Sequence, residues 1–156
     1  MPSIEAEARD DCAVAGVAEY FGGLASAIGL PRTVGRIYGV LFLSPEAMTF
    51  NEVVKAAGIS KASASTGLRI LTRLRAVHPV SRGGERRMRF EAETGARRLV
   101  RGVLAGTMLP QLEAGEPLLA RVADEDPFVS RRIERLRSWH RGARELLPMI
   151  GRYGTV

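Results

Sequence analysis

Cysteine is almost missing from this chain: Cys12 stands alone among 156 residues. A single thiol leaves no intramolecular disulfide framework and no thiolate cage for a metal ion. Histidine is nearly as scarce. His78 and His140 lie far apart with no acid at ligand spacing from either, which makes a poor metal site. Aromatic residues make up 6% of the chain, too few for a base-stacking platform. No apolar run approaches the ~18 residues of a membrane span. The opening residues Met1-Pro2-Ser3-Ile4-Glu5 carry an acid where a signal peptide carries basic charge. A cytoplasmic protein with no membrane partner is expected. The motifs G-x-S-x-G, the P-loop and H-E-x-x-H do not occur, and no titratable groups converge as they do at a reaction centre. We expect no enzyme and no cofactor. Lysine is rare too: of 23 basic residues only Lys55 and Lys61 are lysine. Arginine suits bidentate phosphate and guanine contacts, although a genomic bias towards arginine codons gives the same count.

What the chain does have is positive charge in one place. Phe50 to Arg101 holds twelve Lys and Arg against four acids, a net of +8, whereas the whole chain is +6. The remainder is therefore slightly acidic, and the basicity belongs to one module. That asymmetry is the electrostatic footprint of a nucleic-acid binder. At 46% hydrophobic, the chain can bury a core as one domain, or as a small domain with a helical extension.

The basic module opens at Thr49-Phe50-Asn51-Glu52, a capping box in which Thr49 and Glu52 satisfy each other's backbone amides. A short helix follows, turning Val53, Val54, Ala56 and Ala57 towards a core until Gly58 breaks it. Ser60 is an N-cap for a second helix from Lys61 to about Arg75. Ala64, Leu68, Leu71 and Leu74 form its inward stripe. Lys61, Ser65, Thr66, Arg69 and Arg73 form a small, polar, cationic opposite stripe. Ala76 to Ser81, the turn Arg82-Gly83-Gly84-Glu85 and Arg86 to Glu91 then form a hairpin, with Pro79 confining its first strand to an edge. The whole is a helix-turn-helix followed by a basic β-hairpin.

On either side the pattern is helical. Ser3 caps a first helix running to about Ile28, with a narrow seam of Val14, Val17, Phe21, Leu24 and Ile28. Cys12 is a candidate peroxide-sensing thiol, but Asp10 and Asp11 beside it disfavour its thiolate, so it reads first as a small helical residue. Gly29 ends that helix and Pro31 takes the first position of the next. Arg32 to Leu43 is buried on most sides through Val34, Ile37 and Leu41, with Gly35 and Gly39 permitting close helix contact. Ser44-Pro45 stops it. From Thr94 or Gly95 a long helix runs towards Asp124, interrupted by Pro110 and Pro117, with a kink or break near Pro110. Asp124-Glu125-Asp126-Pro127 starts the last helix. Its seam is Val129, Ile133, Leu136, His140, Ala143, Leu147 and Ile150, with His140 as a polar residue setting register. Two narrow seams at the two ends point to pairing with a second copy; the alternative is that they pack on each other within one chain. A pair would offer two modules to a palindromic site about one helical turn apart.

Gly29-Leu30-Pro31-Arg32, Gly35-Arg36-Ile37, Gly39 and Leu41, then Ser60-Lys61, Ser65, Leu68-Arg69 and Leu71, then Gly84-Glu85-Arg86-Arg87 with Phe90-Glu91-Ala92-Glu93, resemble one family. It is the GbsR-like branch of the MarR family of winged-helix transcriptional regulators. The resemblance covers roughly Gly29 to Leu104 and implies a mostly α fold with a small β-wing. It implies an N-terminal dimerisation helix (1–28), a winged helix-turn-helix DNA-binding domain (29–93) and C-terminal dimerisation helices (94–156). The implied function is that of a homodimeric, sequence-specific DNA-binding regulator, a ligand-responsive repressor of a pseudo-palindromic operator in double-stranded DNA. Lys61, Ser63, Ser65, Thr66, Arg69 and Arg73 are then the major-groove residues. Arg82, Arg86 and Arg87 are the wing residues on phosphates or the minor groove. Tyr20, Tyr38, Phe42 and Trp139, with Phe21, are the sizeable candidates to line an effector pocket. The branch responds to choline, which an aromatic cage holds by cation–π contact; the residues themselves read first as plain core, and no ligand is assigned. Two departures stand out. Ala62, Ser63, Thr66 and Gly67 are small where bulkier or amide side chains are expected, so no operator sequence carries over. The wing is short and has Glu85 where the family has aspartate. The alternative function is a winged-helix module that docks a protein or RNA partner and reads no sequence.

Overall fold

Helix propensity and caps dictate the elements, but two glycines decide how the first of them meet. The computed structural model describes the backbone of residues 4–84 and 86–150 and the side chains from Asp11 on; the expected cap at Ser3 lies outside these residues. Contacts divide the chain into two units, Met1–Thr94 and Gly95–Val156. In the first, α1 (Ile4–Ala27) packs along α2 (Arg32–Leu43), and α2 also touches the helices and sheet that follow. Val34, Gly35, Ile37, Tyr38, Gly39, Val40 and Leu41 are all buried, so α2 is the central helix. A Cβ on Gly35 would overlap the carbonyl of Phe21 and lie 2.7 Å from the Gly22 nitrogen. One on Gly39 would lie 2.7 Å from the Ala18 Cα. The two backbones are thus in direct contact, as the glycine spacing predicts.

That contact displaces the expected α1 seam by about one residue. Ala18 and Ala25 are buried, while Leu24 and Ile28 are 46% and 57% exposed. Glycine on one helix draws small residues of the other onto it, and the large apolar side chains are pushed to the flanks. Pro31 occupies the N-cap of α2 and not its first turn, at φ −57° and ψ 139°.

The capping box forms as expected at the head of α3 (Phe50–Ala57). Val53 and Ala57 are buried, but Ala56 is exposed, because positions 53, 54, 56 and 57 together span more than one short helical face can bury. Gly58, at φ +60°, closes α3 in the left-handed conformation that only glycine adopts without strain. Ser60 then accepts from the Ser63 amide at 3.1 Å and starts α4 (Lys61–Arg73). Ala64, Leu68, Leu71 and Leu74 are buried. So is Gly67, where a Cβ would overlap the Cδ1 of Ile37; the small residue in this helix serves packing on α2.

The sheet holds one strand more than expected. β1 (Met48–Thr49) pairs with β3 (Arg89–Ala92), which pairs with β2 (Val77–Val80), all antiparallel in the order β1-β3-β2. Pro79 lies on an edge strand, opposite Phe90. β3 begins at Arg89 and not at Arg86, so a longer loop replaces the tight hairpin turn; Glu85 in that loop lies outside the described residues. The Tyr38 hydroxyl donates to the Glu93 carbonyl at 2.5 Å and ties α2 to the exit of β3. Burial first, and then the Glu93 carboxylate, push the Tyr38 phenol up to about 12. This is a winged helix-turn-helix, mostly helical with a small three-stranded sheet.

The second unit contains α5 (Ala96–Thr107), α6 (Leu109–Arg121) and α7 (Pro127–Leu146), then a 3₁₀ turn over Leu147–Met149. The break between α5 and α6 falls at Met108, next to the expected Pro110, whereas Pro117 is accommodated inside α6. The Asp126 carboxylate caps α7 by accepting from the amides of Phe128 and Val129, at 2.7 and 3.1 Å. Arg137 of α7 donates to the carbonyls of Leu119 (2.9 Å) and Val122 (2.7 Å) at the end of α6. His140 is 6% exposed beside Gly115, and its Nε2 has no hydrogen-bond partner among the described residues. The α-helix stops at Leu146, so the seam's last two members lie beyond it, Leu147 in the 3₁₀ turn and Ile150 after that turn.

The glycine contacts make a graded prediction. Gly35→Ala sets a methyl against backbone and should cost about 3 kcal/mol in urea unfolding. Gly67→Ala meets only the end of the Ile37 side chain and gains helix propensity, so its cost should stay within about 1 kcal/mol. Equal midpoints for the two variants would refute the close α1–α2 contact.

Candidate nucleic-acid interface

The outward side of α4 is the complement of its buried stripe. Lys61, Ser65, Thr66, Arg69 and Arg73 are all exposed and share that side. Ser63 stands apart: it is half-buried, and its hydroxyl lies 3.0 Å from that of Ser60 within the cap. In the β2–β3 loop Arg86 and Arg87 are exposed, while Arg82 is paired with Glu46 at 3.1 Å. The loop is fastened at its root. The Glu52 carboxylate accepts from the Thr49 amide at 2.6 Å and from its hydroxyl at 2.8 Å, and the Arg89 guanidinium stands 3.7 Å away. Arg89 also donates to the Ala47 carbonyl at 3.1 Å. The Thr49 amide foremost, then its hydroxyl, with smaller help from Arg89 and Arg87, hold the Glu52 carboxyl below the usual carboxylate range. One carboxylate thus joins the start of α3, β1 and β3. Sequence reasoning found its cap but missed its guanidinium, because β1 was not foreseen.

Between α4 and the sheet lies an open cleft of about 510 Å³. Phe50, Leu68, Pro79 and Phe90 supply its apolar lining, and Ser65, Arg69, Thr72 and Arg73 its polar lining. Phe50 and Thr72 carried no functional signal in the sequence, and Phe90 entered only through the resemblance at the exit of the wing. A second groove, of about 780 Å³, is lined by residues of α1, α2, β1 and α3 including Val14, Val40, Leu43 and Met48, with Asp11 and Arg36, and holds no aromatic side chain.

The aromatic candidates do not converge on that groove. Tyr38 and Phe42 cluster around Phe21, with ring centroids 4.7 and 5.6 Å from it, and the Tyr38 hydroxyl is already engaged by Glu93. Tyr20 touches Phe21 edge-on but is largely exposed. Trp139 is exposed in the second unit. Cys12 is exposed on α1. Among the described residues no cluster of His, Cys, Asp and Glu could hold a metal ion, and no helix is long and apolar enough to cross a membrane.

No family model matches the chain. A stretch of 67 residues is 33% identical to the putative HTH-type transcriptional regulator YvaV of Bacillus subtilis (strain 168). That stretch is 43% of this chain and 38% of that protein. A crystal structure described as a transcriptional regulator superposes with a TM-score of 0.73, at 24% identity, over 90% of this chain and 97% of that one. The likeness is one of fold. MepR, a transcription regulator of the Staphylococcus aureus multidrug efflux pump MepA, superposes more loosely: TM-score 0.42, 18% identity, 80% of this chain and 90% of that one.

The Glu52 joint gives a pH prediction. Its folded-state carboxyl is depressed, so its contribution is present above the ordinary carboxylate range and is lost as pH falls through the folded value. Urea midpoints should place Glu52→Gln below the parent near neutral pH, and the gap should close on acidification. A gap independent of pH would exclude the carboxylate as the joint.

Proposed function

We propose that the chain is a homodimeric, sequence-specific DNA-binding transcriptional regulator of the GbsR-like kind, a repressor relieved by a small molecule. One observation carries the reading: five exposed residues of α4 form a single cationic and hydroxyl face, beside a loop bearing Arg86 and Arg87, within a module of net charge +8. An α-helix of this kind fits the major groove, where Arg69 is the residue able to address guanine through two hydrogen bonds. Lys61, Ser65, Thr66 and Arg73 serve phosphates and base edges around it. Arg86 and Arg87 take phosphates or the neighbouring minor groove, and Arg82 joins them on leaving Glu46. Ser63 contributes through the cap that sets the start of the helix. The short side chains at Ala62, Ser63 and Thr66 give this chain an operator of its own.

A second copy accounts for the exposed apolar residues. On α1 and the turn that follows it these are Tyr20, Leu24 and Ile28; on α7 they include Leu136, Trp139 and Leu146. Such surfaces are costly in water and mark interfaces. A symmetric pair places two α4 helices on a pseudo-palindromic site.

Arg69→Ala should weaken the selected duplex by about 1–3 kcal/mol and relax one position of the site. Equal losses on cognate and random duplex would remove Arg69 from base reading. Arg86→Ala should weaken all duplexes alike and flatten the salt dependence of binding by about one phosphate contact. On genomic fragments the specific-to-non-specific ratio should exceed ~10³; a ratio near one identifies a docking module instead. Leu24→Glu should give a monomer by sedimentation and abolish tight binding to the palindrome. A dimer unchanged by that charge would remove α1 from the interface.

A further inference from the structure

We infer that Glu46 is a specificity residue: it withholds Arg82 from duplexes met at random and yields it only where α4 has seated in its site. The inference rests on the DNA-reading proposal and adds what that reading leaves open. A module of net charge +8 attracts any duplex, whatever its sequence. Such binding grows with every cation that reaches a phosphate, so each cation held back lowers it. Arg82 is held back by a neighbouring segment: its Nη2 donates to Oε2 of Glu46 at 3.1 Å. The two partners are not equally anchored. The Ser44 hydroxyl donates to the Glu46 carbonyl at 2.6 Å, and Arg89 donates to the next carbonyl, that of Ala47, at 3.1 Å. From Met48 the same segment is paired with β3. Arg82 instead leads into Gly83 and Gly84, where a Cβ would meet nothing within 4 Å. The acid is thus fixed, and the cation stands at the edge of an open loop. Both side chains of the pair are more than half exposed, so the pair is weak. A phosphate fixed opposite the loop can engage the guanidinium through two hydrogen bonds, where Glu46 receives one. A seated α4 fixes a phosphate there; a duplex sliding past does not.

The test uses the full chain and two duplexes of equal length, one that it has selected from a randomised pool and one of random sequence. Binding is titrated against salt for the parent, Glu46→Gln, Arg82→Ala and the double variant. Glu46→Gln releases Arg82, so it should bind the random duplex roughly fivefold more tightly and steepen its salt slope by about 0.9, the value of one phosphate contact. The selected duplex should keep its slope, because Arg82 already contacts it, and the specific-to-non-specific ratio should fall. With Arg82→Ala in place, Glu46→Gln should leave both slopes where they are. Equal steepening on both duplexes would reduce Glu46 to a general repulsive charge and overturn the inference. So would a steepening that survives the loss of Arg82, or no change on the random duplex. Failure to select any duplex would instead reject the DNA-reading proposal itself.

Discussion

Everything in the first unit is placed by the close seating of α2. Where Gly35 and Gly39 have no side chain, α1 comes down to backbone contact. On α4, Gly67 leaves room for Ile37, a residue with no exposed surface. The same helix sends the Tyr38 hydroxyl to the carbonyl of Glu93, at the point where β3 ends. One buried helix therefore refers both α4 and the sheet to a common frame. The outward face of α4 is not chosen by its charges. It is what remains after Ala64, Gly67, Leu68 and Leu71 have been committed to α2 and the core.

Charge is arranged around that frame by short-range chemistry. Glu52 completes a helix cap and at the same time receives Arg89 from β3, so the base of the β2–β3 loop is held by a group whose first duty is to α3. Glu46 does the same further out for Arg82. These pairs are partly exposed, and their Coulombic worth is small. Their effect is positional: they fix where the loop leaves the sheet and shift the positive potential towards Arg86, Arg87 and the face of α4.

The features legible in the sequence were those written within one helical turn. Thr49 with Glu52, Gly58, Ser60 and Asp126 each act on an amide or carbonyl a few positions away, and the chain carries the whole instruction locally. The inward stripe of α4 was legible for the same reason, and its exposed face follows by subtraction. What depended on distant partners was not. β1 is two residues long and is a strand only because Phe90 and Arg89 lie opposite it. The α1 seam was misplaced because periodicity weighs large side chains, whereas the partner helix has no side chains at the contact. Ala56 was put inward by the same preference for apolar residues over geometry. The cleft drew its lining from Phe50, Leu68, Pro79 and Phe90, on four separate elements, and no spacing rule joins them.

The corner between α6 and α7 carries a consequence of its own. α6 ends at Arg121 without a glycine, and Val122 turns away at φ −74° and ψ 118°. The carbonyl oxygens left over there are received by the guanidinium of Arg137, fifteen and eighteen positions further along. A planar fork can span both oxygens, whereas a lysine ammonium, a single point of charge, cannot hold the two together. The bend is consequently a knot tied by one side chain, and losing that side chain takes the guanidinium from both carbonyls at once.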